Sequence, residues 1–346
     1  MSAKIMMNCL KCSLAGIFLL FFQSASAQAD FSGVESVLKQ HLKAMGRDVS
    51  IVVNKDGKNF YTHQTPDFTT RTPASVGDLS KWFTTAVVMM YVDEGKISLD
   101  DRVSKYIPLF EQYLKGYITI RHCLTHTTGI EADAAGLLRV AQKNKFGNLE
   151  EEIRNYVTRR DIMNNPGEVI HYGQIGPNIA ARVIEVISKK TFDRVAQEKL
   201  FRPLGMRNAS FYSDNGAVDP ANGAAASASD IINFLTMLLD KGIFNGKRIL
   251  SEASVTEMYK PQFRDLPVRY NMKLTEGMPF ALGSWIQESD DAGNPSVLAC
   301  PGPGGIWPWI DLRRRSVGII MTKKIMSDMR KEMFLSIKDE IDVQMK

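Results

Sequence analysis

From Leu79 to Asp93 the chain offers no polar face to water. Trp82, Phe83, Ala86, Val87, Val88, Met89, Met90 and Tyr91 fill it at every angle of a helix. A helix apolar on all sides has to be enclosed by other elements. Gly95 supplies a plausible stop. The fold must therefore be built around a central helix, which takes a large core. The chain has 346 residues, 44% of them apolar, so the material for such a core is present. The same composition excludes disorder, collagen and coiled-coil arrays.

The flanking patterns say what encloses that helix. Val34, Val37, Leu38, Leu42 and Met45 recur at helical spacing over residues 33–45. Val49 to Asn54 and Asn59 to His63 read as strands joined by a turn at Lys55-Asp56-Gly57. From about residue 95 to 260 the patterns are helical, with turn-rich loops. Strand patterns return at Phe280 to Gln287, Val297 to Ala299, Ile306 to Ile310 and Val317 to Thr322. Met329, Met333, Ile337 and Ile341 then repeat every four residues, which predicts an amphipathic last helix. Strands at both ends and helices between them predict an α+β fold. Its antiparallel sheet is built from both termini and flanked by helices, and an all-α region is inserted. The α/β part is expected over about 28–77 and 265–346, and the helical part over about 78–264.

The first 27 residues are expected to lie outside that fold. Lys4 and Lys11 precede an apolar run from Leu14 to Phe22, and Ala25-Ser26-Ala27 follows. This is the layout of a secretory signal cleaved near Ala27, so a periplasmic or secreted protein is expected. The run is short for a spanning helix, and no stable membrane anchor is expected. The formal net charge of +5 falls to +3 once Lys4 and Lys11 leave. So small a surplus argues against nucleic acid as a partner. Of four cysteines, Cys9 and Cys12 leave with the signal and only Cys123 and Cys300 remain. That is too few for a disulfide scaffold.

Six ordered segments match one family. They are Asp78-Leu79-Ser80-Lys81-Trp82-Phe83-Thr84, then Asp93 to Asp101, then Ile120-Arg121-His122-Cys123-Leu124-Thr125-His126-Thr127-Thr128-Gly129. Pro166-Gly167-Glu168, Pro203-Leu204-Gly205-Met206 and Ala226-Ser227-Ala228-Ser229-Asp230 complete the set. From about residue 33 to 325 the chain resembles the serine β-lactamase/DD-peptidase superfamily, in the branch of class C β-lactamases, D-aminopeptidases and esterases. The resemblance implies a β-lactamase/transpeptidase-like fold with the active site in the cleft between its two parts. It implies acyl transfer through a covalent acyl-serine, which needs a hydroxyl, a base and oxyanion donors.

This sequence departs from that pattern at the chemistry. Lys81 stands where the family has its lysine, but Asp78 occupies the nucleophile position three residues before it. A carboxylate attacking an ester or amide would give an anhydride, uphill and readily reversed. A carboxylate one turn from Lys81 also favours its ammonium form. As a helix-start residue Asp78 would be comfortable, so a structural cap paired with Lys81 is an adequate reading. The family's Tyr-x-Asn appears as Tyr172-Gly173-Gln174. Tyr172 keeps its proton-transfer group, and Gln174 keeps an amide one methylene longer. The family's Lys/His-small-Gly appears as Cys300-Pro301-Gly302, followed by Pro303. The residue after that glycine gives the family an oxyanion N–H, and proline has none.

The expected reading is a family scaffold without family catalysis, a pseudoenzyme retained for ligand binding or regulation. Its cleft would hold a small peptide-like or cell-wall-derived ligand against Tyr172, Gln174 and Lys81, with Cys300 and Gly302 alongside. No cofactor is expected. The alternative is a non-serine hydrolase, with Asp78 as a base on water or Cys300 as a nucleophile. Ser80 sits about 200° round the helix from Asp78 and Ser75 lies before it, so neither replaces the lost hydroxyl. His122 and His126 are four apart, but no Glu lies between them, and a structural role is expected rather than zinc. Arg313-Arg314-Arg315 reads as a solvated turn. Trp307 and Trp309 are balanced between ligand stacking and strand packing.

Overall fold

The computed structural model describes residues 29–131, 146–212, 216–263, 266–269, 272–323 and 331–345. The expected signal segment, and Met329 of the last helical repeat, lie outside the described residues. Six strands form one sheet: β1 (Val49–Lys55), β2 (Lys58–Gln64), β3 (Trp285–Ser289), β4 (Pro295–Ala299), β5 (Ile306–Asp311) and β6 (Ser316–Thr322). The spatial order is β3-β4-β5-β6-β1-β2, and every neighbouring pair is antiparallel. Strands from the two ends of the chain meet at β6 and β1, where Ile51 faces Ile320 across the ladder. That pairing closes the sheet, as the distribution of strand patterns requires.

Both faces of the sheet are covered, and the two-residue period of a strand sorts the side chains. Val49, Ile51 and Val53 join Trp307, Trp309 and Ile320 under the helices Ser32–His41 and Lys331–Val343. Val52, Ile310, Val317 and Ile319 point the other way, into the larger core that holds the helix Leu79–Asp93. That helix is buried from Leu79 to Tyr91. The helix Ala228–Leu239 lies against β6 and β1, so part of the inserted stretch serves as the sheet's second layer.

Trp307 and Trp309 are fully buried, which decides between stacking on a ligand and packing within the sheet. The Trp307 ring stacks on Phe334 at 5.5 Å, and its indole N–H donates to Gln287 at 3.1 Å. Trp309 lies across Gly318, its register partner on β6. A methyl group on Gly318 would stand 2.1 Å from the ring. Gly318→Ala is accordingly expected to cost about 2–3 kcal/mol in urea unfolding, as an overpacked core position.

The strand expected over Phe280–Gln287 is shorter and later, at Trp285–Ser289. Gly283 is the reason. It takes φ +80°, and a side chain there would meet Thr85 Oγ1 at 2.8 Å and the Trp82 Cα at 3.0 Å. The chain turns to pass the central helix before it enters the sheet. The first helix also stops early, at His41, and Gly46 with φ +83° follows in the turn. The arginine run is more than a solvated turn: Arg313, Arg314 and Arg315 pair with Glu288, Asp311 and Asp240.

Candidate functional site

The central helix begins where three loops converge. Asp78 is its N-cap residue, with φ −60° and ψ −25°, yet its side chain makes no capping hydrogen bond. The capping half of the structural reading is therefore corrected. The carboxylate turns along the helix and not back over its end. Oδ1 accepts from Lys81 Nζ and, at 3.2 Å, from the Tyr172 hydroxyl. The side chains of Lys81 and Asp78 are 3% and 9% exposed.

Lys81 is held on every side. Besides Asp78, its ammonium donates to the Ala221 carbonyl at 3.1 Å and to Asn222 Oδ1 at 2.9 Å. Three acceptors take all three N–H bonds that an ammonium group has. Its nitrogen also lies 5.0 Å from the centre of the Tyr172 ring, within cation–π range. Nothing in this arrangement presents a lone pair on Lys81 to a substrate.

The segment that cradles Lys81 is the part of the site that sequence reasoning missed. Asp219 Oδ1 accepts from the Ala221 and Asn222 N–H groups at 3.1 Å each, which folds Asp219–Gly223 into a turn. Thr84 donates to the Pro220 carbonyl at 2.6 Å, and Ser80 Oγ accepts from Ala224 N–H at 3.0 Å. These bonds clamp the turn to the helix and explain the buried hydroxyl of Ser80. The run Asp-Pro-Ala-Asn-Gly is a turn signal in itself. Nothing in it names Lys81 as its partner, 140 residues away. Ser75 sits in a two-residue ladder with Ala225, outside the helix.

A second polar chain backs the first. Gln174 donates through Nε2 to the Tyr156 hydroxyl at 3.2 Å, and that hydroxyl donates to the buried Glu152. Asn178 donates to Glu152 at 3.2 Å and accepts from Ala221 N–H at 3.0 Å. Gln174, expected as a polar contact for a ligand, thus has its amide engaged with the scaffold. The network runs from Gln174 through Ala221 to Lys81 and Asp78.

Tyr172 packs in an aromatic nest with His126 at 4.6 Å and Trp285 at 5.1 Å between ring centres. Burial, reinforced by Asp78 and Cys300, pushes its hydroxyl well above the usual tyrosine range, so it donates and does not act as a base. Cys300 is 1% exposed. Burial first and then Asp78 push its thiol upward, while Lys81 opposes them more weakly. A buried, uncharged thiol is a poor nucleophile, so the Cys300 alternative has no support in this geometry. Gly302 donates to the Ile306 carbonyl at 3.1 Å and lies against Asp78. Pro303 is exposed beside it.

The two histidines have separate structural partners. His122 closes a capping box with Thr119 at the start of the helix Ile120–Leu124. His126 packs against Tyr172 and accepts from Gly173 N–H at 3.4 Å. Burial, helped by the Lys81 charge, holds the His126 imidazole well below its ordinary value. Burial lowers His122 and His171 as well. These groups bind protons more readily in the unfolded chain, from about pH 6.5 downward. Stability is then expected to fall as pH drops below that value. Denaturant midpoints at neutral pH and near pH 5 check this, and His126→Gln should flatten the difference.

A buried helix start carrying Lys81, a tyrosine loop and a glycine just past a sheet strand are brought together here. The chain belongs to the β-lactamase family, whose model matches residues 34–335. Among solved structures it is similar to a protein of Bacteroides dorei DSM 17855 assigned as a β-lactamase. That match has a TM-score of 0.80 at 25% identity, over 91% of this chain and 99% of that one. EstCE1, a hydrolase with promiscuous acyltransferase activity, superposes with a TM-score of 0.72 at 20% identity, over 89% of this chain and 97% of its own; this shows the fold alone. Among curated proteins, Flp of Staphylococcus aureus (strain NCTC 8325 / PS 47) is 27% identical over 48% of this chain and 35% of its own length. Penicillin-binding protein 4 of Amycolatopsis lactamdurans is 25% identical over 60% of this chain and 62% of its own. The chain thus spans about a third of Flp and under two thirds of the penicillin-binding protein.

Proposed function

We propose that this protein is an exported, non-acylating member of the β-lactamase family that keeps its cleft for binding a small peptide-like or cell-wall-derived ligand. The observation that carries this reading is the state of Lys81. In an acyl-serine enzyme the lysine position serves the nucleophile. Here its three N–H bonds are spent on Asp78, Ala221 and Asn222. The nucleophile position holds a carboxylate, Tyr172 holds its proton, and Pro303 offers no N–H to an oxyanion. Loss of one such donor typically costs about 10²–10³ in rate.

A fluorescent penicillin and a fluorophosphonate probe test the reading on the wild type and on Asp78→Ser. The wild type is expected to remain unlabelled by both. Covalent labelling of the wild type overturns the reading, because a nucleophile would then exist elsewhere. Labelling confined to Asp78→Ser would mean that the hydroxyl is the only missing part. Labelling in neither protein would extend the loss to the oxyanion donor. Export rests on the expected signal at residues 1–27, and N-terminal sequencing of the natural protein checks it by finding Gln28 or a near neighbour first.

A further inference from the structure

Tyr113, Leu114 and Tyr117 stand out of the helical part as large apolar side chains, 45%, 83% and 45% exposed. None of them belongs to the site around Lys81. Leu114 is the extreme case. It follows the short helix Leu109–Gln112 with φ +56°, the left-handed conformation that glycine ordinarily fills at a helix end. A leucine holds it here, and its side chain is left in water. The loop is nonetheless fixed. Leu114 N–H donates to the Glu111 carbonyl at 3.1 Å and Lys115 N–H to the Phe110 carbonyl at 2.7 Å. The Ser104 hydroxyl donates to the Gly116 carbonyl at 3.1 Å. Lys115 Nζ donates to the Val157 carbonyl at 2.9 Å, which ties the loop to the helix Leu149–Arg159. Clustered, exposed apolar side chains on a fixed loop mark an interaction surface.

A receptor of matching chemistry adjoins this knob. Ile107, Pro108, Leu109, Ile153 and Val186 line an open slot of about 240 Å³. Leu109 begins the short helix that Leu114 follows, and Ile153 lies one turn before Val157 on the helix that Lys115 holds. The charges match as well. Arg154 stands at the slot, its side chain 59% exposed and 3.5 Å from Glu150. Arg182 takes the other oxygen of that carboxylate. Glu111 is exposed, has no hydrogen bond or ion pair through its side chain among the described residues, and lies against Gly116 of the knob loop. The bonds that fix the loop keep Leu114 out of its own molecule's slot. We propose that the protein forms a two-fold dimer, in which Leu114 of each copy enters the slot of the other and Glu111 pairs with Arg154 across the contact. A two-fold contact uses one patch twice, so each copy gives a knob and receives one. The patch is small against the roughly 800 Å² per partner of a standard interface, so the dimer is a weak one.

Sedimentation velocity from about 5 μM to about 0.5 mM spans weak association and tests the proposal. The sedimentation coefficient of the wild type should rise with concentration toward that of a dimer. Leu114→Gly removes the knob and suits the left-handed backbone. It should remain monomeric throughout and melt no lower than the wild type. Glu111→Arg and Arg154→Glu should each weaken association about tenfold, the size of one charge-assisted contact. Both substitutions in one chain should restore it. A wild type that stays monomeric overturns the proposal, and its capture by phosphatidylethanolamine–phosphatidylglycerol vesicles would then assign the knob to a lipid surface. A dimer that persists in Leu114→Gly overturns it too, since the copies would then meet elsewhere. Failure of the double reversal to recover association overturns the pairing of Glu111 with Arg154.

Discussion

Asp78→Ala is expected to lower the unfolding free energy by about 3 kcal/mol, the usual cost of removing one partner of a buried ion pair. The variant leaves the Lys81 ammonium, 3% exposed at its side chain, with two neutral acceptors and no counter-charge. It also strips the Tyr172 hydroxyl of its acceptor. Asp78→Asn keeps an acceptor for both donors and should cost clearly less. Urea unfolding of both variants at neutral pH measures the difference. Equal losses would mean that the charge contributes nothing and that only the hydrogen bonds matter. A loss near zero for Asp78→Ala would mean that Lys81 finds solvent, which the geometry of the Ala221–Asn222 cradle argues against. The pair is therefore a structural element at the start of the central helix.

Gly176→Ala is expected to cost about as much, by a different mechanism. Gly176 is the second residue of the helix Ile175–Ser188. A methyl group on it would stand 2.0 Å from the Cys123 carbonyl oxygen and 2.8 Å from its carbon. No rotamer change relieves a contact between a Cβ and a backbone carbonyl, so one of the two helices must move. A loss of about 3 kcal/mol, at the upper end for overpacking, is expected in urea unfolding. The same shift reaches the site, because Tyr172, Gly173 and Gln174 lead directly into this helix. Near-ultraviolet circular dichroism of the Tyr172–Trp285 cluster should change in the folded variant. An Ala variant of wild-type stability and unchanged spectrum would show that the helices separate without cost.

How much of this was legible beforehand depends on the range of the forces involved. The buried central helix was readable because fifteen consecutive residues state their own environment. The sheet drawn from both termini followed from where the strand patterns lie, and the order β6-β1 joins them. The end of the strand pattern at Phe280 was misplaced because Gly283 answers to Trp82 and Thr85, far away in sequence. The site divides the same way. Asp78, Lys81, Tyr172 and Cys300 were found because motif spacing marks them. Asn222, Asp219 and Asn178 were not, since turn and helix residues carry no mark of a distant lysine.

By itself the sequence determined that this chain folds around an enclosed helix, and that the helix starts with a carboxylate where the family it resembles has a hydroxyl. Those are properties of local pattern and of residue identity. Only the tertiary structure decided what that carboxylate does. It gives up capping, binds Lys81 and Tyr172 through one oxygen, and leaves the other oxygen without a hydrogen-bond partner among the described residues. The reason is physical: a buried ammonium must satisfy three donors. Here the acceptors are brought to it by a turn 140 residues downstream.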